Sequence, residues 1–201
     1  MYQTYDYPNA HELNPQLHKA LFSKLPIRKK KERIYSPNKK HDQSDGEGHF
    51  LISSRDLHRR GIKEVDILLR WIGSLIPLVA HNFSDPNPIE YKYEDYLPLS
   101  DNGGGKYNFN INAFKLVHCW SVFYNEGDCV EPHNHFPYSL SFCYYVDTPE
   151  GSSPFILNNE AINVKQGQII FFSGNAFHSV PTSSIDGRCG IAGNVMYIDK
   201  H

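Results

Sequence analysis

His133 and His135 flank Asn134 just after the turn Gly127-Asp128 and just before an alternating apolar segment. On extended backbone, residues i and i+2 project to the same side, so these two imidazoles can share one metal ion. His178 follows Gly167-Gln168-Ile169-Ile170-Phe171-Phe172, a stretch long enough to cross a barrel, and is the third candidate ligand. Asp128 and Glu131, slightly upstream, are alternative oxygen ligands. A lone His-x-His or a lone histidine is commonly just surface or packing. In this order, with strand-like segments between them, the three imply a metal site. Arg188 lies ten residues beyond His178 and opens a segment whose same-face neighbours are Gly190, Ala192 and Asn194. Small side chains leading up to a guanidinium leave room for a carboxylate, which the guanidinium fork pairs bidentately. Tyr124, Ser141 and Asn194 are candidates to add a hydroxyl or amide to that anchor.

The elements that must carry these groups can be read from periodicity. From Phe114 to Tyr124 the period is two, with Phe114, Leu116, His118, Trp120, Val122 and Tyr124 alternating against Lys115, Val117, Cys119, Ser121 and Phe123. Residues 138–146 alternate again, Leu140, Phe142, Tyr144 and Val146 against Ser139, Ser141, Cys143 and Tyr145. Shorter strand-like pieces follow at 154–157, 161–164, 168–172 and 189–198. Short strands with regular turns predict a mainly β fold, a double-stranded β-helix of the jelly-roll or cupin-like type. Upstream, Asn14-Pro15 predicts a helix start, with Leu17, Leu21 and Leu25 on one stripe and Pro26 as the stop. Residues 61–80 predict a second helix striped by Ile62, Val65, Leu68, Leu69, Ile72, Leu75 and Ile76, which Pro77 should end or kink. Two lone helices cannot bury both their sides, so they are expected to buttress the sheet.

A chain of 201 residues fits one domain, with residues 1–110 as its helical and loop part and 111–201 as its β-helix core. The 13 Tyr and 12 Phe suit pleated, half-buried surfaces. A net charge of −2 gives no argument for nucleic acid, and the runs at 28–33 and 39–41 read as solvated loop, as do 42–48 and 85–105. The longest apolar run, 71–80, is too short to span a bilayer, so no membrane partner is expected. Cys119, Cys129, Cys143 and Cys189 form no Cys-x-x-Cys pair, and the polar N-terminus carries no export signal, so free thiols and a cytoplasmic location are expected.

From Trp120 to Tyr124, through His133-Asn134-His135-Phe136-Pro137-Tyr138 to Val146, and on through 167–172, Phe177-His178, Arg188 and Asn194, the chain resembles the Fe(II)/2-oxoglutarate oxygenase superfamily. It is most similar to the oxygenase branch widespread in bacteria and phages. The resemblance spans about 114–198 and implies a double-stranded β-helix holding Fe(II). Iron in that superfamily is bound by His-x-Asp or His-x-Glu with a distal His, and an Arg or Lys about ten residues further binds the far carboxylate of 2-oxoglutarate. Position 135 departs from this with a His, as the branch also shows, so the resemblance implies His133, His135 and His178 as ligands. Arg188 becomes the co-substrate anchor, with O2 as the second co-substrate and hydroxylation as the reaction. The substrate, a protein side chain, nucleobase or small molecule, stays open, as does a homodimer. A cupin-type metal enzyme or binding protein not using 2-oxoglutarate is the alternative: Gly127 stands correctly before the His pair, but Ser139 and Leu140 occupy the place of the expected Glu, and Arg188 would have no role. A further alternative is a structural protein that kept the fold and lost activity.

Overall fold

The computed structural model describes residues 1–25, 28–29, 50–84 and 113–198. Of the loop expected at 28–33, Arg28–Lys29 instead form a short strand that pairs with Leu51–Ile52, and the rest of that run, with 39–41, 42–48 and 85–105, lies outside the described residues. Two antiparallel sheets dominate. The larger contains β1 (Tyr2–Asp6), β2 (Arg28–Lys29), β3 (Leu51–Ile52), β4 (Phe114–Tyr124), β6 (Leu140–Asp147), β9 (Gln168–Ser173) and β11 (Arg188–Tyr197), in the order β1-β9-β6-β11-β4-β3-β2. The smaller contains β5 (Val130–His133), β7 (Phe155–Leu157), β8 (Glu160–Ile162) and β10 (His178–Val180), in the order β5-β10-β7-β8. From β4 onward the chain winds between the sheets, with the paired strands β7 and β8 together in the smaller one, which is the winding of a double-stranded β-helix.

The larger sheet is buried on both faces, and that explains its dense apolar strands. Cys119, Phe123, Phe142, Tyr144, Ile169, Phe171, Cys189 and Ile191 pack against the helices. Trp120, Val122, Tyr124, Tyr145, Ile170 and Phe172 point the other way and meet Val130, Phe155, Leu157 and Val180 of the smaller sheet. The helices do buttress the sheet, on its outer face.

Both helices differ in extent from expectation. α1 runs Ala10–Lys24 with Asn9 as N-cap, so Asn14 and Pro15 lie inside it. Asn14 is not a cap because it is buried, and its Oδ1 accepts the Tyr144 hydroxyl at 2.6 Å. α2 runs Lys63–Ser84 and continues through Pro77. Interior proline costs a helix about 3 kcal/mol, but Ile76, Leu78 and Val79 are buried around it, and their packing outweighs the lost hydrogen bond. α2 has the length and apolarity to cross a membrane, yet Val65, Leu68, Ile72 and Leu75 of its stripe lie in the helix–sheet core.

Candidate metal centre

Antiparallel pairing of β10 with β5 sets His178 directly opposite His133, and their ring centroids are 4.2 Å apart. His135 lies just past β5, its ring 5.0 Å from that of His133 and 4.9 Å from that of His178. A close backbone approach holds it there: the His135 amide donates to the Gly174 carbonyl at 2.8 Å, and the Gly174 amide to Ser139 O at 3.4 Å. Only glycine fits at 174, since a Cβ would stand 1.9 Å from the Tyr138 carbonyl oxygen. One ring nitrogen from each histidine comes within 4.8 Å of the other two.

The donor set fits a divalent transition metal. His133 Nδ1 donates to the Glu131 carbonyl at 2.9 Å and His178 Nδ1 to the Ala176 carbonyl at 3.2 Å. Carbonyl oxygens only accept, so the proton of each neutral ring is on Nδ1 and the lone pair on Nε2 is left for a metal. Burial lowers the His178 pKa to about 3, with His133 adding to the effect and the Ala176 hydrogen bond opposing it. His178 is therefore the neutral ligand form at any physiological pH.

The two carboxylates considered as ligands are elsewhere. Asp128 Oδ2 accepts the Asn125 amide at 2.8 Å, tying the carboxylate into its own turn. Glu131 is exposed, and the histidine cluster among the described residues includes neither.

Arg188 is 3% exposed and stands opposite Tyr124 in register. Its Nη1 donates to the Ser153 carbonyl at 2.5 Å, and its Cζ lies 5.2 Å from the Tyr124 ring centre and 5.3 Å from that of Tyr145. A cavity of about 70 Å³ connects these groups with two of the histidines, lined by Arg188, Tyr124, Tyr145, Gly190, Ala192, His133 and His135 among others. The small face of β11 is its floor, as the spacing predicts. Ser141 and Asn194 are not among the lining side chains: Ser141 Oγ donates to Asn194 Oδ1 at 3.0 Å, and both are buried. Asn194 is six residues beyond Arg188 on β11 and pairs with His118 rather than Tyr124, and Ser141 is its partner on β6.

Tyr145 takes the place expected of them. Its hydroxyl is buried and, among the described residues, has no hydrogen-bond partner beyond the weak one that the Cys143 sulfur offers. Burial raises the pKa of both Tyr124 and Tyr145 despite the nearby Arg188, so both hydroxyls keep their protons and can donate. Alternation along β6 already places Tyr145 on the Ser141 face. Phe50, Ile52 and Arg55 also line the cavity, and the only sequence signal for them is the short apolar run Phe50-Leu51-Ile52 after a polar stretch.

No family model matches the sequence, and no curated protein matches it. Solved structures do match the fold. A Pseudomonas putida prolyl 4-hydroxylase superposes with TM-score 0.58 at 12% identity, covering 98% of this chain and 92% of that one. A 2-oxoglutarate-Fe(II) oxygenase family oxidoreductase from Burkholderia pseudomallei gives TM-score 0.58 at 12% identity, over 97% and 84%. The non-haem α-ketoglutarate-dependent epimerase SnoN of nogalamycin biosynthesis gives 0.62 at 11%, over 98% and 80%. At these identities the likeness is one of fold. The chain has the double-stranded β-helix of the 2-oxoglutarate- and iron-dependent oxygenases.

Proposed function

We propose that this protein is an Fe(II)- and 2-oxoglutarate-dependent oxygenase that hydroxylates an organic substrate. The observation that carries the reading is a cluster of three converging histidines, two of which, His133 and His135, line one cavity between the sheets together with the buried Arg188. His133 and His178 would hold the iron through Nε2, and His135 through one of its ring nitrogens. When bound, iron with 2-oxoglutarate and O2 supplies oxidative decarboxylation coupled to oxidation of a substrate C–H bond. Three neutral imidazoles add no negative charge to the site, which favours a dianionic co-substrate. Arg188 anchors the far carboxylate of that co-substrate, and the Tyr124 and Tyr145 hydroxyls beside it donate to the same group. Phe172 and Phe155, with rings 4.7 and 5.5 Å from His178, keep water from the inner wall. A cupin not using 2-oxoglutarate leaves the buried guanidinium unused. The helices and the β-helix act as one domain, since α1, α2 and the larger sheet share one core.

Anaerobic loading with Fe(II) and 2-oxoglutarate tests the reading. A visible chelate absorbance, followed by succinate release on exposure to oxygen, is expected. Absence of both would remove it.

A further inference from the structure

The turn that carries His135 has a side-chain anchor of its own. Residues 135–138 form a tight turn, closed where the Tyr138 amide donates to the His135 carbonyl at 2.9 Å. Its ends are tied by backbone bonds, from His135 N to Gly174 O at 2.8 Å and from Ser139 N to Val195 O at 3.0 Å. Between them Phe136 and Pro137 are exposed, so neither packs the turn against the protein. Tyr138 is half-buried and turns inward. Its hydroxyl is hydrogen-bonded to His118 Nδ1 at 3.0 Å, and the two rings meet edge to face with centroids 5.5 Å apart.

His118 belongs to the strand that builds much of the site. Along β4, His118, Trp120, Val122 and Tyr124 share a face, because alternate residues of a strand do. The Trp120 ring stands 5.8 Å from that of His135, and Tyr124 pairs with Arg188 in register. One strand thus meets the first residue of the turn through Trp120 and the last through His118. Pairing with Asn194 on β11 fixes His118 in the sheet. Burial, aided by Arg55 and Arg59, lowers the His118 pKa, so the ring is neutral at neutral pH and Nδ1 can accept the tyrosine proton. His133 and His178 need no such anchor, because strand register sets them opposite each other.

We propose that Tyr138 is a positioning residue: through His118 it fixes the turn so that the His135 ring is held towards His133 and His178. This rests on reading the three histidines as metal ligands, and it is independent of 2-oxoglutarate. Preorganisation of this kind keeps the cost of ordering a ligand out of the binding step.

Co(II) titration of full-length wild type, Tyr138→Phe, His118→Phe and the double variant reads the coupling. Loss of one ordinary hydrogen bond should weaken Co(II) binding about three- to tenfold in Tyr138→Phe. His118→Phe should lose as much, and it carries the test should Tyr138→Phe fold poorly. The double variant should lose no more than either, since both substitutions remove the same bond. In a His135→Ala background, Tyr138→Phe should change Co(II) affinity by less than about twofold. Tyr144→Phe is the structural control: it deletes the 2.6 Å bond to Asn14 and should lower Tm without weakening Co(II). A second readout needs no metal. In metal-free protein with isotope-labelled histidine, the His135 ring signal should shift in Tyr138→Phe by more than those of His133 and His178. Full Co(II) affinity in Tyr138→Phe, additive losses in the double variant, an equal loss without His135, or an unmoved His135 signal would each overturn the proposal. If wild type binds no Co(II) while the His135 signal still moves, the positioning role stands and the metal reading fails.

Discussion

His133 and His178 are register partners on adjacent antiparallel strands, so their meeting is fixed by backbone hydrogen bonding. His135 is different, because its position depends on the loop clamp to Gly174. Metal affinity should therefore be sensitive to a residue that touches no metal. In Gly174→Ala, the new Cβ would stand 1.9 Å from Tyr138 O, so the 135–138 loop must move. Overpacking of this kind costs typically about 1–3 kcal/mol. Urea denaturation should show that loss, and Co(II) titration of the folded fraction should show weakened binding. Retained affinity would mean that His135 is not needed as a ligand.

Arg188 is the anchor that the co-substrate reading requires. Removing one member of a buried charge pair costs about 2–5 kcal/mol in binding, so Arg188→Ala should raise the 2-oxoglutarate requirement by about two orders of magnitude or more. Metal affinity should be nearly unchanged, since the side chain contacts Ser153, Tyr124 and Tyr145 rather than the histidines. Succinate release against 2-oxoglutarate concentration, with a parallel Co(II) titration, separates the two effects.

All four cysteines are free, and their environments rank their reactivity. Cys119 and Cys189 are buried, and burial pushes both thiols well up. Cys143 lines the cavity, and burial pushes its pKa up to about 11, partly opposed by Arg188. Thiolate is the reactive form, so at pH 8 native protein should alkylate first at half-buried Cys129. Cys143 labelling should rise steeply only as pH approaches its shifted value, and saturating 2-oxoglutarate should slow it. Peptide mass mapping of an iodoacetamide time course reads this order.

Part of the core was legible because residues 114–124 and 138–146 carry a period of two in side-chain type although both faces of their sheet are buried. Phe114–Tyr124 stands where the period of two puts it, and the strand-like piece at 189–198 is found one residue earlier, as Arg188–Tyr197; His133, His135 and His178 cluster, and Arg188 lines the cavity that His133 and His135 also line. What failed depended on tertiary partners. Asn14 reads locally as a cap, but Tyr144, distant in sequence, draws it into the core. β1 is too short to show a period, and it exists because Tyr2–Asp6 finds the open edge of β9. β5 and β10 are likewise too brief to stand out, yet they set the histidine pair. Ser141 and Asn194 have the correct face but lie beyond the cavity, next to a register bulge at Asn194/Val195 after which the β4–β11 ladder resumes at Val195 and Leu116.

Tyr145 supplies a prediction in which stability and function move in opposite directions. Its hydroxyl is buried on the Arg188 side of the cavity, and among the described residues it has no oxygen or nitrogen partner. A buried donor left unmade costs about 1–3 kcal/mol, and the weak sulfur contact recovers only part of that. Tyr145→Phe keeps the ring, and with it the packing against the guanidinium, while removing the orphan group. The ligand-free variant should therefore be more stable by about 1 kcal/mol, a rise of roughly 2–4 °C in Tm for a chain of this size. Binding should suffer, because a hydrogen bond to a charged carboxylate is worth about 1.5–3 kcal/mol, or roughly 10- to 150-fold in affinity. Calorimetric melting without ligand and 2-oxoglutarate titration of the Zn(II)-loaded protein give the two numbers. A purely structural tyrosine would lose stability on substitution and leave co-substrate affinity unchanged, the reverse of both expectations.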